Sequence, residues 1–186
     1  MVFVDLDDTL FKVTARIGIR KDGKITRTIS TQEFSTWRLN EGEEFDFQEF
    51  SSAKIFEQSV PLVKNIEEIF TKYKDYEIAV LTARGDLDDP ELFLQTLRRF
   101  GIPAGHYKDG KVHVIRCAVP GQSTQVSKMQ KLRRIIDKRP DVKEIIVIDD
   151  CVDNLRAIVD ADIPVRIKTI LAHADGLTEW SPRSPL

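Results

Sequence analysis

Cysteine is scarce in this chain: Cys117 and Cys151 are the only two, they lie 34 residues apart, and no C-x-x-C occurs. They read as reduced thiols, not as a disulfide framework. Histidine is almost as rare. His106, His113 and His173 form no H-E-x-x-H, so a zinc site built on motif spacing is not expected. No apolar run approaches the roughly 20 residues of a membrane helix. The opening MVFVDLDD turns acidic at its fifth residue, unlike a secretory leader. A reducing cytoplasm is the expected location, with no membrane contact. An excess of one charge is missing too, since 28 Lys and Arg face 30 Asp and Glu. That argues against a globally basic nucleic-acid clamp. There is no internal repeat, no low-complexity segment, and no G-x-x-x-x-G-K-[ST] of a P-loop kinase.

What is present suits one globular domain over residues 1–186. The chain is long enough to bury a core without staples, and its 41% hydrophobic and 31% charged content is ordinary for such a domain. Three apolar runs read as strands buried on both faces: Val2 to Val4, Glu77 to Leu81 and Glu144 to Ile148. Helical spacing predicts helices from Pro61, over Pro90 to Phe100 with Gly101 closing it, and over Thr124 to Lys138. The last of these carries Val126, Met129, Leu132 and Ile136 on one face. Another helix starts over Leu155 to Val159. Val112 to Ile115 and Val165 to Ile170 read as further strands, and the tail with Pro182 and Pro185 as frayed.

An insert occupies residues 11–60. Val13 to Arg20 and Lys24 to Ser30 alternate around Lys21-Asp22-Gly23, a hairpin signature. Residues 31 to 60 read as irregular or partly helical, with Phe and Trp scattered among acids. Strands alternating with helices predict a mostly parallel α/β sheet covered on both faces, with ligand beyond the carboxyl ends of the strands.

Those ends are polar. Asp5-Leu6-Asp7-Asp8-Thr9 ends the first run, Thr82-Ala83-Arg84 the second and Asp149-Asp150 the third. Carboxylates at the tips of buried strands repel one another and lose hydration, which a cation relieves. Asp5, Asp7 and Asp150 offer the hard oxygens Mg²⁺ prefers. A phosphate ligand in so negative a site needs a basic residue as well, and Lys128 or Lys131 is placed to supply it. Taken singly, each element also reads as a solvated turn or a helix cap.

The run VFVDLDDTL resembles the first motif of the haloacid dehalogenase (HAD) superfamily, a strand followed by D-x-D-x-T. IAVLTAR resembles its second motif, Lys128 in QVSKMQKL its third, and IIVIDDCVDN its fourth; all four stand in the family's order across residues 2 to 154. The resemblance implies a Rossmann-like core with a small flap or cap insertion after the first strand, and Mg²⁺-dependent phosphomonoester hydrolysis. It makes Asp5 the nucleophile and Asp7 the acid and base. Asp5, Asp7 through its carbonyl, Asp150 and Asp149 would serve the metal. Thr82, Thr9 and Lys128 would serve the phosphoryl group. Arg84 either contacts substrate or sits in a surface ion pair, Asp153 or Asn154 supports the fourth motif, and Asp8 faces solvent.

The pairing of Asp-Asp with Thr-Ala-Arg is similar to the phosphatase domain of polynucleotide kinase-phosphatases. That similarity makes a nucleotide or a nucleic-acid 3′-phosphate end a candidate substrate, beside a small phosphorylated metabolite. The hairpin's Lys12, Arg16, Arg20, Lys21, Lys24 and Arg27 against Asp22 suggest a basic flap that tracks a nucleic-acid backbone; an edge hairpin protected by charge is the alternative reading. No obligate protein partner is evident. A non-hydrolytic phospho-acceptor or binding domain is the competing class.

Overall fold

The computed structural model describes residues 1–34, 36–105, 112–119 and 121–182. Strand β1 (Val2–Val4) is buried on both faces. The insert then holds β2 (Phe11–Lys12), β3 (Ile17–Lys21), β4 (Lys24–Ile29), α1 (Thr31–Phe34), β5 (Glu43–Asp46), a 3₁₀ turn (Gln48–Ser51), α2 (Ala53–Glu57) and β6 (Val60–Pro61). After it come α3 (Val63–Lys72), β7 (Ile78–Thr82), α4 (Pro90–Arg99), β8 (Ala104–Gly105), β9 (Val112–Arg116) and α5 (Thr124–Ile136). The chain finishes with β10 (Glu144–Asp149), α6 (Val152–Asp160), β11 (Arg166–His173) and β12 (Gly176–Trp180).

The main sheet runs β12-β11-β10-β1-β7-β9-β8, parallel throughout except for β12 at the edge. Alternate side chains feed two cores. Val4, Val80 and Ile148 meet Ile66 and Ile69 of α3 and Phe93 and Leu97 of α4. Phe3, Leu81 and Val147 meet Leu132 and Ile136 of α5 and Leu155 and Ile158 of α6. This is the mostly parallel α/β sheet between helices that the alternation predicts, compatible with a Rossmann-like core. The chain winds from β1 through β7 to β9 on one side, then returns to β10 on the other. The winding reverses between β1 and β10, and a crevice opens at their carboxyl ends.

The insert leaves and rejoins through an antiparallel neck of β2 and β6. Beyond the neck, β4-β3-β5 form a separate antiparallel sheet. Asp22 and Gly23 have φ of 50° and 75°, the left-handed pair of a tight hairpin turn. The insert touches the loops after β1 and β7: Thr31 Oγ1 donates to Asp8 Oδ2 at 2.9 Å, and Asp88 N–H to the Ser51 carbonyl at 2.9 Å. It therefore stands on the carboxyl rim of the main sheet.

Several expectations change. The hairpin begins at Ile17, because the N–H groups of Val13 and Arg16 go to the Asp8 and Glu49 carboxylates instead of to a strand. Strand β5 lies inside the segment read as irregular or helical. Its Glu43-Glu44-Phe45-Asp46 has one apolar residue, and it is a strand because it pairs with β3. Pro61 pairs across the neck, so α3 starts at Val63. Val126 is exposed, and the buried face of α5 is Ser127, Lys128, Leu132 and Ile136. The tail does not fray after Ile170: β11 continues to His173 and β12 follows, anchored by the buried Trp180. His106 and Pro185 lie outside the described residues. Both cysteines are free thiols. Among the described residues no helix is long and apolar enough to cross a membrane.

Candidate functional site

Asp5 follows β1, and its N–H donates to the Ile148 carbonyl at 2.8 Å. The parallel pairing thus runs one residue past the strand and sets the Asp5 carboxylate beside the end of β10. Lys128 points inward from α5 and is 2% exposed. Its Nζ donates to Asp5 Oδ1 at 2.5 Å and to Asp149 Oδ2 at 2.7 Å. Lys131 is exposed, so of the two candidate lysines only Lys128 reaches the acids. Asp149 Oδ1 accepts from the Cys151 N–H at 3.0 Å and from Asn154 Nδ2 at 2.9 Å. Asn154, not the exposed Asp153, is the supporting residue of this turn.

Thr9 is fully buried. Its hydroxyl accepts from the Asp150 N–H at 3.1 Å and faces Asp150 Oδ1 at 3.4 Å. It fixes the position of Asp150. The Thr9 carbonyl in turn accepts from Asn65 Nδ2 at 2.9 Å, which also donates to the His173 carbonyl at 2.9 Å. Sequence reading passed over Asn65; a polar residue on the apolar stripe of Leu62, Ile66 and Ile69 was the available signal. Thr82 ends β7, fully buried, and its hydroxyl accepts the Arg84 N–H at 3.1 Å.

Arg84 is not on the surface: its side chain has no exposed area. Nε and Nη2 fork onto the Asp7 carboxylate at 3.0 and 2.7 Å, and Nη1 donates to the Phe50 carbonyl at 3.1 Å. The guanidinium lies 5.2 Å from the Phe50 ring centroid and 4.9 Å from that of Phe56. Asp7 is thus tied to the insert. Asp8, expected in solvent, adopts φ of 61° and spends its carboxylate on Val13 N–H and Thr31 Oγ1.

Over the whole insert the charge balances. Residues 11 to 60 hold eight Lys and Arg and eight Asp and Glu. Arg20 pairs with Asp46, Arg16 lies 3.9 Å from Glu33, and Arg27 stacks 4.5 Å over Trp37. The acids of β5 and its flanks supply the balance that the hairpin alone lacks. Strand β4 with Lys24 and Arg27 is an exposed edge, which fits the alternative of charge protecting an edge.

Asp5, Asp149 and Asp150 each offer an oxygen, and these atoms lie within 4.8 Å of one another. The first and last strand tips therefore converge. Three carboxylates against the single Lys128 ammonium leave two negative charges, which one divalent cation balances. The donor set is all hard oxygen, so the residues fit a hard divalent cation, Mg²⁺ among them. Desolvation raises Asp5 well above the usual carboxylate range; Lys128 pulls it down, while Asp149, Asp150 and Asp7 raise it further. Asp150 reaches solvent, yet desolvation and then Asp149 push its carboxyl up to about 7. Burial disfavours the Lys128 ammonium, but Asp149 and Asp5 outweigh it and keep the lysine charged.

A carboxyl whose folded pKa stands above its unfolded value binds its proton better in the folded state. Stability then falls as pH rises toward that folded value. The metal-free protein is expected to melt at a lower temperature at pH 8 than at pH 6, and Mg²⁺ to remove most of the difference. Thermal melts in Mg²⁺ and in EDTA check this; melting curves that ignore Mg²⁺ at pH 8 would count against a cation site.

No family model matches the chain, and neither does any curated protein or solved structure.

Proposed function

We propose that the protein is a Mg²⁺-dependent phosphomonoesterase of the HAD type, acting through an aspartyl-phosphate on a nucleotide or nucleic-acid end. The observation that carries this reading is the convergence of Asp5, Asp149 and Asp150 around the buried Lys128. The Asp5 carboxylate attacks phosphorus, the bond from phosphorus to the leaving oxygen breaks, and Asp7 gives that oxygen a proton. Water then attacks the phosphoryl group, Asp7 takes its proton, and phosphate leaves with Asp5 restored. Lys128 spends two of its three N–H donors on Asp5 and Asp149 and keeps one for a phosphoryl oxygen. Thr82 accepts from Arg84 and keeps its own proton to donate. Held by Asp5, Asp150 and the Asp7 carbonyl, with Asp149 behind them, Mg²⁺ would neutralise charge on the phosphoryl group.

Turnover of p-nitrophenyl phosphate in Mg²⁺, absent in EDTA, tests the reading. A panel of nucleotides, 3′-phosphorylated oligonucleotides and sugar phosphates then separates the nucleotide substrates from small metabolites. No Mg²⁺-dependent release of phosphate from any of them would end it.

Arg84 enters this chemistry through Asp7. Its fork holds both carboxylate oxygens in one orientation, which a lysine cannot reproduce. Arg84→Lys is expected to slow an alkyl phosphate about 100-fold, since that leaving group needs the proton. Turnover of p-nitrophenyl phosphate, whose leaving group needs none, should fall far less. Comparison of kcat on the two substrates decides it, and equal losses would make Arg84 merely structural.

A further inference from the structure

We propose that the cleft along β9 is a groove for single-stranded nucleic acid whose terminal phosphate occupies the Asp5 site. The inference rests on the phosphatase reading and adds where the rest of a nucleic-acid strand binds. The cleft has a volume of about 1200 Å³ and passes round β9, with Leu94 of α4 on one face of the sheet and Lys131, Arg134 and Ile135 of α5 on the other. One end is at the catalytic rim, because Arg116 stands in register with Thr82 and the Cys117 N–H donates to the Thr82 carbonyl at 2.8 Å. From there it descends past Lys131 toward Arg139 and Met1 at the amino ends of the strands.

Among the described residues its charge is mainly positive. Lys131, Arg134 and Lys138 are spaced i, i+3 and i+7 and all line the cleft. Lys131 and Arg134 stand on α5, and Lys138 follows in the turn after it. Among the described residues none of the three has a carboxylate partner. Arg116 adds a fourth cation, held only by the fully exposed Asp86 at 3.1 Å, a pair that a phosphate can displace. Among the described residues the one acid of the lining, Glu77, is taken by Arg139 at 2.9 Å.

In a molecule of net charge −2, this is a local concentration of unpaired positive charge beside a site read as cleaving phosphate esters. A cation row fits a phosphate backbone, and Ile115 and Ile135, on the same face of the sheet as the row, give bases an apolar surface to lie on. The insert, once its β5 acids are counted, has no comparable row.

The test is fluorescence anisotropy of a labelled, phosphate-terminated oligothymidylate with the wild-type protein in EDTA, at 50 and 200 mM salt, beside a triple Lys131→Gln, Arg134→Gln, Lys138→Gln variant. Neutralising four phosphates implies an affinity loss of about 50-fold between the two salts for the wild type, and only about 3-fold for the variant, which keeps Arg116. The variant should keep full turnover of p-nitrophenyl phosphate while losing the wild type's preference for the oligonucleotide over a mononucleotide. Equal binding by the two proteins, or tighter binding of polyglutamate than of oligothymidylate, would overturn the groove. If neither protein hydrolyses p-nitrophenyl phosphate, the phosphatase reading fails by itself, and the anisotropy still decides the groove.

Discussion

Lys128→Met is expected to destabilise the metal-free protein by about 3–5 kcal/mol, the effect of removing one partner from a buried ion pair. Methionine nearly matches the lysine stem in volume, so the loss is electrostatic. Asp5 and Asp149 would face each other without the ammonium that now donates to both at 2.5 and 2.7 Å. Against a total stability of roughly 5–15 kcal/mol for a domain, that is a large share. The remedy identifies the cause: protonating the carboxylates relieves the repulsion, so the gap in melting temperature between variant and wild type should narrow as pH falls from 8 to 5. A gap that does not change with pH would mean that packing, not charge, is lost. Turnover should drop about 10²–10³-fold, the usual effect of removing a donor to a developing oxyanion.

Asp5→Asn separates chemistry from folding in the opposite way. The amide oxygen still accepts from Lys128, and one of three crowded carboxylates is gone. Because burial already raises the Asp5 carboxyl far above its ordinary range, the metal-free variant should melt no lower than the wild type. Its response to Mg²⁺ should shrink, since a ligand is missing. Its turnover of p-nitrophenyl phosphate should fall on the order of 10⁴-fold or more, as with removal of a covalent nucleophile elsewhere. An intact fold with turnover within tenfold of wild type would remove Asp5 from the reaction.

The central strands were legible because VFV, IAVL and IIVI are apolar without alternation, and only a sheet covered on both faces accommodates that. The acids that end them followed directly. Lys128 was legible as a motif but not as a buried residue. Apolar periodicity put Val126 on the inward face of α5, whereas Lys128, Leu132 and Ile136 fill it because two carboxylates wait opposite the lysine. The insert was least legible. Strand β5 exists through its pairing with β3, and Arg84 is buried because Phe50 and Phe56, far away in sequence, lie against it. Such partners are set by tertiary contact and leave no local period. The same holds for charge: Arg20 of the hairpin looked unopposed until the fold brought Asp46 of a later strand beside it.

The central claim is that the Asp5 carboxylate itself takes up the phosphoryl group. Acid quenching of the wild-type protein during turnover of p-nitrophenyl phosphate in Mg²⁺, followed by peptide mass spectrometry, reads this directly. One added phosphoryl group on the peptide containing Asp5, absent in EDTA and absent from Asp5→Asn, is the expected result. Steady turnover with that peptide unmodified, or with the label on another residue, would contradict it.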